Sequence, residues 1–131
     1  MYDIYTDCDC DVTPEIAKEF GYHLISLPYI IDGKEIYPYE SWQVYEWKSF
    51  YALLRKGTIP STAGLSPQRY IEYFEPSFAS GHDVLYVHFS SSMSETFNAM
   101  NIAVAELKEK YPNVNFYDID TKGITIGALN I

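Results

Sequence analysis

The stretch Tyr86-Val87-His88-Phe89-Ser90-Ser91-Ser92-Met93-Ser94-Glu95-Thr96-Phe97 decides the fold. An apolar, β-prone run from Val84 to Phe89 breaks into hydroxyl residues, and a strongly periodic segment follows from about Ser94 to Tyr111. Strand, polar turn and helix in that order mark an open sheet, in which ligands lie beyond the carboxyl ends of parallel strands. The unpaired N–H groups and partial positive charge that open the helix suit an anion.

Toward the C-terminus, Phe97, Met100, Val104 and Leu107 share one stripe of the helix, while Glu106, Lys108, Glu109 and Lys110 crowd its exposed end. Pro112 and Asn113 end it, Val114 to Ile119 reads as the next strand, and Asp120-Thr121-Lys122-Gly123 as a further strand-end turn. Ile124 to Ile131 is uncharged and weakly helical, and is expected to pack against something rather than trail in solvent.

Toward the N-terminus, Ser66 followed by Pro67 predicts an N-cap for a helix carrying Tyr70, Ile71 and Phe74, with Pro76 ending or kinking it. Ser61 and Thr62 lie in an irregular segment between Pro60 and Gly64. Trp47, Tyr51 and Leu54 recur at helical spacing in a segment that ends near Gly57, and their rings are expected to pack. His23 to Ile31 is an apolar run broken by Pro28, and Asp32-Gly33 between Ile31 and Ile36 signals a hairpin. At the start, Tyr2 to Thr6 is a short strand and Asp7 to Asp11 an acidic turn. Thr13 and Pro14 then open a helix that Gly21 closes, with Ile16 and Phe20 on one apolar face.

This order predicts an α/β fold: a mainly parallel sheet with helices on both faces, Rossmann-like and three-layered, with a small β-hairpin excursion. Its strand-end loops would gather Thr6 and Asp7, Ser90 and Ser91, and Asp120 and Thr121 along one edge. The Ser61-Thr62 loop could reach the same edge.

Composition narrows the function. The chain has 131 residues, 47% hydrophobic and 21% charged, which suits one folded domain and fits neither a disordered nor a membrane class. A formal net charge of −9 argues against nucleic acid and anionic membrane surfaces. Cys8 and Cys10 are too close for an ordinary disulfide and lack the spacing of a zinc or redox motif, so both are expected as reduced thiols. Met1-Tyr2-Asp3-Ile4 is strand-like, without a basic segment or apolar run of signal-peptide length, and a cytoplasmic location is expected. Asp7, Asp9 and Asp11 alternate as at the opening of a calcium loop, but the loop's glycine and distal glutamate are missing, so no metal is assigned.

The hydroxyl-rich edge therefore needs a ligand of modest charge. No lysine or arginine occurs between Arg69 and Lys108, and there is no P-loop or dinucleotide fingerprint, which disfavours a polyphosphate. A carboxylate needs less: hydroxyls and backbone N–H groups each worth about 0.5–1.5 kcal/mol net can fix it. An apolar tail would add about 0.8 kcal/mol per buried CH₂.

Four places carry a resemblance to a known family. Thr6-Asp7-Cys8-Asp9-Cys10-Asp11-Val12 resembles a Thr-Asp-Ser-x-Cys-Asp-Leu opening, and Pro60-Ser61-Thr62-Ala63-Gly64-Leu65-Ser66-Pro67 a Pro-x-Thr-Ser-Gln-Pro-Ser-Pro segment. Phe89 to Phe97 resembles Ile-Ser-Ser-Gly-Leu-Ser-Gly-Thr-Tyr, and Asp120-Thr121-Lys122 an Asp-Ser-Lys turn. In order and spacing these are similar to the N-terminal domain of the DegV family, bacterial proteins that bind long-chain fatty acids.

The resemblance implies a two-domain protein with the ligand between domains, its carboxylate held by Thr62 and by Ser90 or Ser91. Thr6, Asp7, Ser61, Ser94 and Thr121 would form a supporting rim. It implies no cofactor and no catalytic residue: the bound fatty acid is presented to a separate fatty acid kinase subunit, and the DegV-like protein is a carrier. Residues 1–131 correspond to the N-terminal domain alone, so the family's C-terminal domain is expected to be absent and the chain to be a fragment or single-domain member. A homodimer could then cover the face that domain leaves. Ala63 and Gly64 replace the Ser-Gln pair, and Glu95 replaces a glycine and brings a negative charge near the site.

Two competing readings accompany the carrier. In one, the chain is a ligand-free structural domain whose hydroxyls only cap turns, with Ser94 as the helix N-cap. In the other it is a serine hydrolase using Ser90 or Ser91 with His88 as base, although the Gly-x-Ser-x-Gly elbow is missing.

Overall fold

The computed structural model describes residues 1–41 and 47–129. Four strands form a wholly parallel sheet in the order β2-β1-β6-β7: β1 is Tyr2–Asp7, β2 His23–Ile25, β6 Asp83–His88 and β7 Phe116–Asp120. Its register sets Tyr5 opposite Tyr86 and Val87 opposite Ile119, so the carboxyl ends of β1, β6 and β7 share one edge.

Side chains of β6 alternate strictly. Val84, Tyr86 and His88 are buried, while Leu85 and Val87 on the opposite face are half-buried. The fully covered face meets α4 (Pro67–Ala79) and α5 (Thr96–Lys110), which pack on each other. Tyr70, Phe74 and Phe78 of α4, Tyr5 of β1, and Met100, Ala103 and Leu107 of α5 build the main core. Phe74 meets Tyr5 edge-on at 5.1 Å and Phe116 at 5.1 Å. Each such ring buries about 1.5–3 kcal/mol of transfer free energy. Ser66 caps α4 by accepting from the Arg69 N–H, as its sequence demands.

Among the described residues, the second face carries α1 (Pro14–Phe20) and α6 (Ile126–Leu129), with a small cluster of Cys10, Val12, Ala17 and Ala128. A trough of about 180 Å³ remains between Ile4, Leu85, Val87 and Tyr22. Further along this face, Tyr117 and Ile119 are 58% and 37% exposed.

An antiparallel ribbon stands beside the sheet in the order β4-β3-β5, with β3 Tyr29–Ile31, β4 Lys34–Ile36 and β5 Ser61–Thr62. At the β3–β4 turn Asp32 has φ 51° and Gly33 φ 73°, the two positive values of a type I′ turn. The short α2 (Pro38–Ser41) and α3 (Trp47–Arg55) follow the ribbon.

Several sequence expectations are corrected. Ile16 and Phe20 do not face the core: they are 40% and 62% exposed, and α1 instead buries its small Ala17, letting a short helix lie close to the chain. Trp47 and Tyr51 are also exposed, and α3 buries no residue fully. Its rings meet one another and the ribbon, with Phe50 edge-on to Tyr29 at 5.0 Å. Pro76 does not end α4, which runs three residues further because Ser77 and Phe78 are buried and hold the last turn in place. The helix after the hydroxyl turn starts at Thr96, since Ser91–Met93 first forms a 3₁₀ turn. Ile124 to Ile131 is helical from Ile126 to Leu129 and buries Ala128, and residues 130 and 131 lie outside the described residues.

Candidate ligand cleft

A cleft of about 610 Å³ opens at the carboxyl edge of the sheet, between the strand ends and the ribbon. Its apolar lining comes from Leu27, Pro28, Pro38, Phe89, Met93 and Ile124. Polar groups are fewer: Thr62 from β5, Ser94 ahead of α5, and Cys8 and Asp9 from the 3₁₀ turn after β1. Among the described residues no lysine or arginine lines it.

The ribbon is what brings Thr62 here. β3 pairs on one side with β4 and on the other with β5, setting Tyr29 opposite Thr62, and the Ala63 N–H donates to the Pro28 carbonyl. Gly64 then passes so close to α5 that a Cβ would sit 3.2 Å from Thr96 Cβ. The Leu65 N–H donates to Thr96 Oγ1 at 3.0 Å, which seats the segment that resembles the second family motif.

Of the residues singled out from sequence, Thr62 and Ser94 line the cleft, and Ser94 Oγ accepts from the Thr96 N–H. Ser90 is 6% exposed and is not among the lining residues; its Oγ accepts from the Ser92 N–H, leaving its own O–H to donate. Ser91 is exposed and commits its O–H to Asp120 Oδ2 at 2.5 Å. Ser61 is exposed on β5 and stands outside the lining. Thr6 is buried against Cys10 Sγ at 3.0 Å, and Thr121 is buried with its Oγ1 accepting from the Gly123 N–H. Glu95 is exposed, so its charge faces water rather than the cleft.

Asp7 is wholly buried at the end of β1. Its Oδ2 accepts from the Phe89 N–H and the Tyr86 hydroxyl, both at 3.1 Å, and its Oδ1 from the Asp9 N–H at 3.1 Å. Burial pushes its carboxyl up to about 6 despite these bonds, helped by the nearby charge of Asp9. Asp9 is raised too, by burial and then by Asp11. Asp120 behaves oppositely: Lys122 and Ser91 hold its carboxyl well below the usual carboxylate range. Burial lifts the Cys8 thiol to about 12, so it lines the cleft as an unreactive group.

The hydrolase geometry is not formed. His88 Nδ1 bonds the Phe89 carbonyl at 2.6 Å and Nε2 lies 3.4 Å from Asp118, and neither nitrogen bonds Ser90 or Ser91. Among the described residues no group of His, Cys, Asp and Glu could hold a metal ion, and no helix is long and apolar enough to cross a membrane.

Sequence reasoning missed the cleft's apolar wall at Leu27, Pro28 and Pro38, because the ribbon's pairing with Ser61-Thr62 leaves no signal in so short a strand. It also missed the central position of Asp7, for which the only local sign was an Asp two residues before a backbone donor in a turn.

A parallel α/β sheet with helices on its faces and a largely apolar cleft at its carboxyl edge places the chain in the Rossmann-like α/β class. The chain belongs to the DegV family, described as an uncharacterised protein family, whose pattern matches residues 1–130. A DegV domain-containing protein of Clostridium perfringens is 34% identical over 124 residues, covering 95% of this chain and 42% of its own length. In fold, the chain is similar to a stearic acid-binding protein from Eubacterium ventriosum, with a TM-score of 0.86, 23% identity, and coverage of 98% of this chain and 44% of that one. It is also similar to DegV, a fatty acid binding protein from Bacillus subtilis, with a TM-score of 0.76, 21% identity, and coverage of 97% and 43%. The chain thus spans less than half the length of the relatives it matches.

Proposed function

We propose that the cleft binds the carboxylate end of a long-chain fatty acid and that the chain is the N-terminal part of a fatty-acid carrier. The observation that carries this reading is the pairing of an apolar wall with the hydroxyls of Thr62 and Ser94 in a cleft that, among the described residues, no basic side chain lines. A phosphate would leave more charge uncompensated there than a single carboxylate. Thr62 is the lining hydroxyl best suited to hold it, and of the two adjacent serines Ser90 is the one with a proton to offer, since that of Ser91 is already committed to Asp120. The two similar structures named as fatty-acid binders support the assignment. The carrier would present the carboxylate to a kinase subunit that phosphorylates it, and the second half of the site would come from a further domain of the length the relatives have.

Native mass spectrometry of the purified chain, followed by titration with oleate, tests the reading. Co-purified fatty acid or a rise in thermal midpoint with oleate is expected. Thr62→Val should weaken binding about 10–100-fold, because a hydrogen bond to a charged acceptor is worth about 1.5–3 kcal/mol, and adding Ser90→Ala should weaken it further. Absence of both bound lipid and oleate stabilisation would overturn the reading for this chain.

A further inference from the structure

We propose that Asp7 is a positioning residue of the cleft, its buried carboxylate clamping the ends of β1 and β6 so that Phe89 and Asp9 line the ligand. The inference rests on the fatty-acid reading only for the identity of the ligand.

Phe89 follows the last residue of β6, where the parallel ladder has ended, and its N–H is satisfied by Asp7 Oδ2 instead of a strand. Asp9 sits across the cleft mouth with its N–H on Oδ1 of the same carboxylate. One side chain therefore fixes two walls. It also reaches the third. Tyr86, which donates to Asp7, packs its ring 6.5 Å from that of Tyr70, and the Tyr70 hydroxyl meets Thr96 Oγ1 at 3.1 Å. Thr96 in turn holds the Leu65 N–H beside Gly64.

The Phe89 and Asp9 amides are obligate donors, one to each carboxylate oxygen, so an ionised carboxylate answers both most strongly and an amide side chain turns its own donor toward one of them. The titratable groups that face Asp7 are Tyr86 of β6, Tyr70 of α4, and Cys8, Asp9 and Cys10 of the 3₁₀ turn. Asp9 is the charged one among them, and its repulsion adds to burial in raising the Asp7 carboxyl. The site thus keeps a carboxylate at a cost in stability, which is the pattern of a group retained for position.

The test uses cis-parinaric acid, a fluorescent fatty acid, with wild type and Asp7→Asn. At pH 7.5, and at a temperature well below the thermal midpoints of both proteins, the folded variant should bind at least tenfold more weakly. A group that merely stabilises the fold would lower the midpoint and leave the affinity of the folded protein unchanged. The ratio of wild-type to variant affinity should shrink as pH falls through about 6, and taking the ratio cancels the ligand's own titration. Equal affinity of the two proteins at pH 7.5 would overturn the proposal. If wild type does not bind the probe, the fatty-acid reading fails and backbone NMR decides the positioning. Phe89 and Asp9 amide resonances that titrate together near pH 6 in wild type and not in Asp7→Asn support it, and unmoved resonances overturn it. Should Asp7→Asn not fold, Tyr86→Phe keeps the carboxylate and removes one donor. It should shift the Leu65 amide and leave that of Phe89, whereas the reverse pattern overturns the proposal.

Discussion

Ser90 and Ser91 are adjacent in sequence and opposite in commitment. Ser91 spends its hydroxyl proton on Asp120, which also takes the Ser91 and Lys122 N–H groups and the Lys122 ammonium, while Ser90 keeps its proton. Sequence alone left the two interchangeable, because which of two successive residues turns inward after a strand depends on the 3₁₀ turn that follows. The two carboxyls that govern this edge titrate in opposite senses. Asp7 is raised from 3.8 to about 6 on folding, so its contribution to stability is complete below about pH 4 and is lost as pH rises through 6. Asp120 is lowered, so its contribution is present above about pH 4 and is lost as pH falls toward its folded value. The stability difference between Asp7→Asn and wild type should therefore move in the variant's favour from pH 4 to about 6.5 and then level off. Urea denaturation at a series of pH values measures this, and a difference that moved against the variant over that range would contradict the assigned direction.

At the scale of elements, the sheet and its helices were legible and the ribbon only partly so. The caps Thr13 and Ser66 carry their own chemistry, as does the stripe from Phe97 to Leu107, and each lies where the sequence put it. The Asp32-Gly33 turn was equally readable, since both positions require positive φ. What escaped was pairing over distance: Ser61-Thr62 joins β3 from about thirty residues away, held by neighbours and not by its own residues. The misread faces of α1 and α3 have a related cause. Their apolar residues face surfaces outside the main core, and periodicity shows that a stripe exists without showing what covers it. The ribbon's rigidity matters to the site because β3 links the turn to Thr62. Gly33→Ala forces a left-handed conformation on a residue with a Cβ, at about 1–2 kcal/mol, and should lower the urea midpoint while loosening Thr62 and weakening oleate binding. A variant that lost stability without any change in affinity would uncouple the ribbon from the cleft.

For the whole molecule, the net charge of −9 argues against nucleic acid, and the lack of lysine or arginine between Arg69 and Lys108 disfavours a polyphosphate. Its architecture is asymmetric: a continuous aromatic core on one side of the sheet and a thin cover on the other. The outermost strand on one margin, β7, reads Phe-Tyr-Asp-Ile-Asp and leaves one row of backbone groups without a neighbouring strand. Asp118 and Asp120 interrupt what would be an unbroken β-forming run, and like charges meet when two such margins approach. Asp118, whose carboxylate is half exposed, is thus expected to disfavour one copy of the chain extending the sheet of the next. Asp118→Val should leave the core packing in place yet raise concentration-dependent association, visible as larger species in sedimentation velocity and suppressed in Asp118→Lys. The net negative charge of the chain would then also act as a spacer between its own copies.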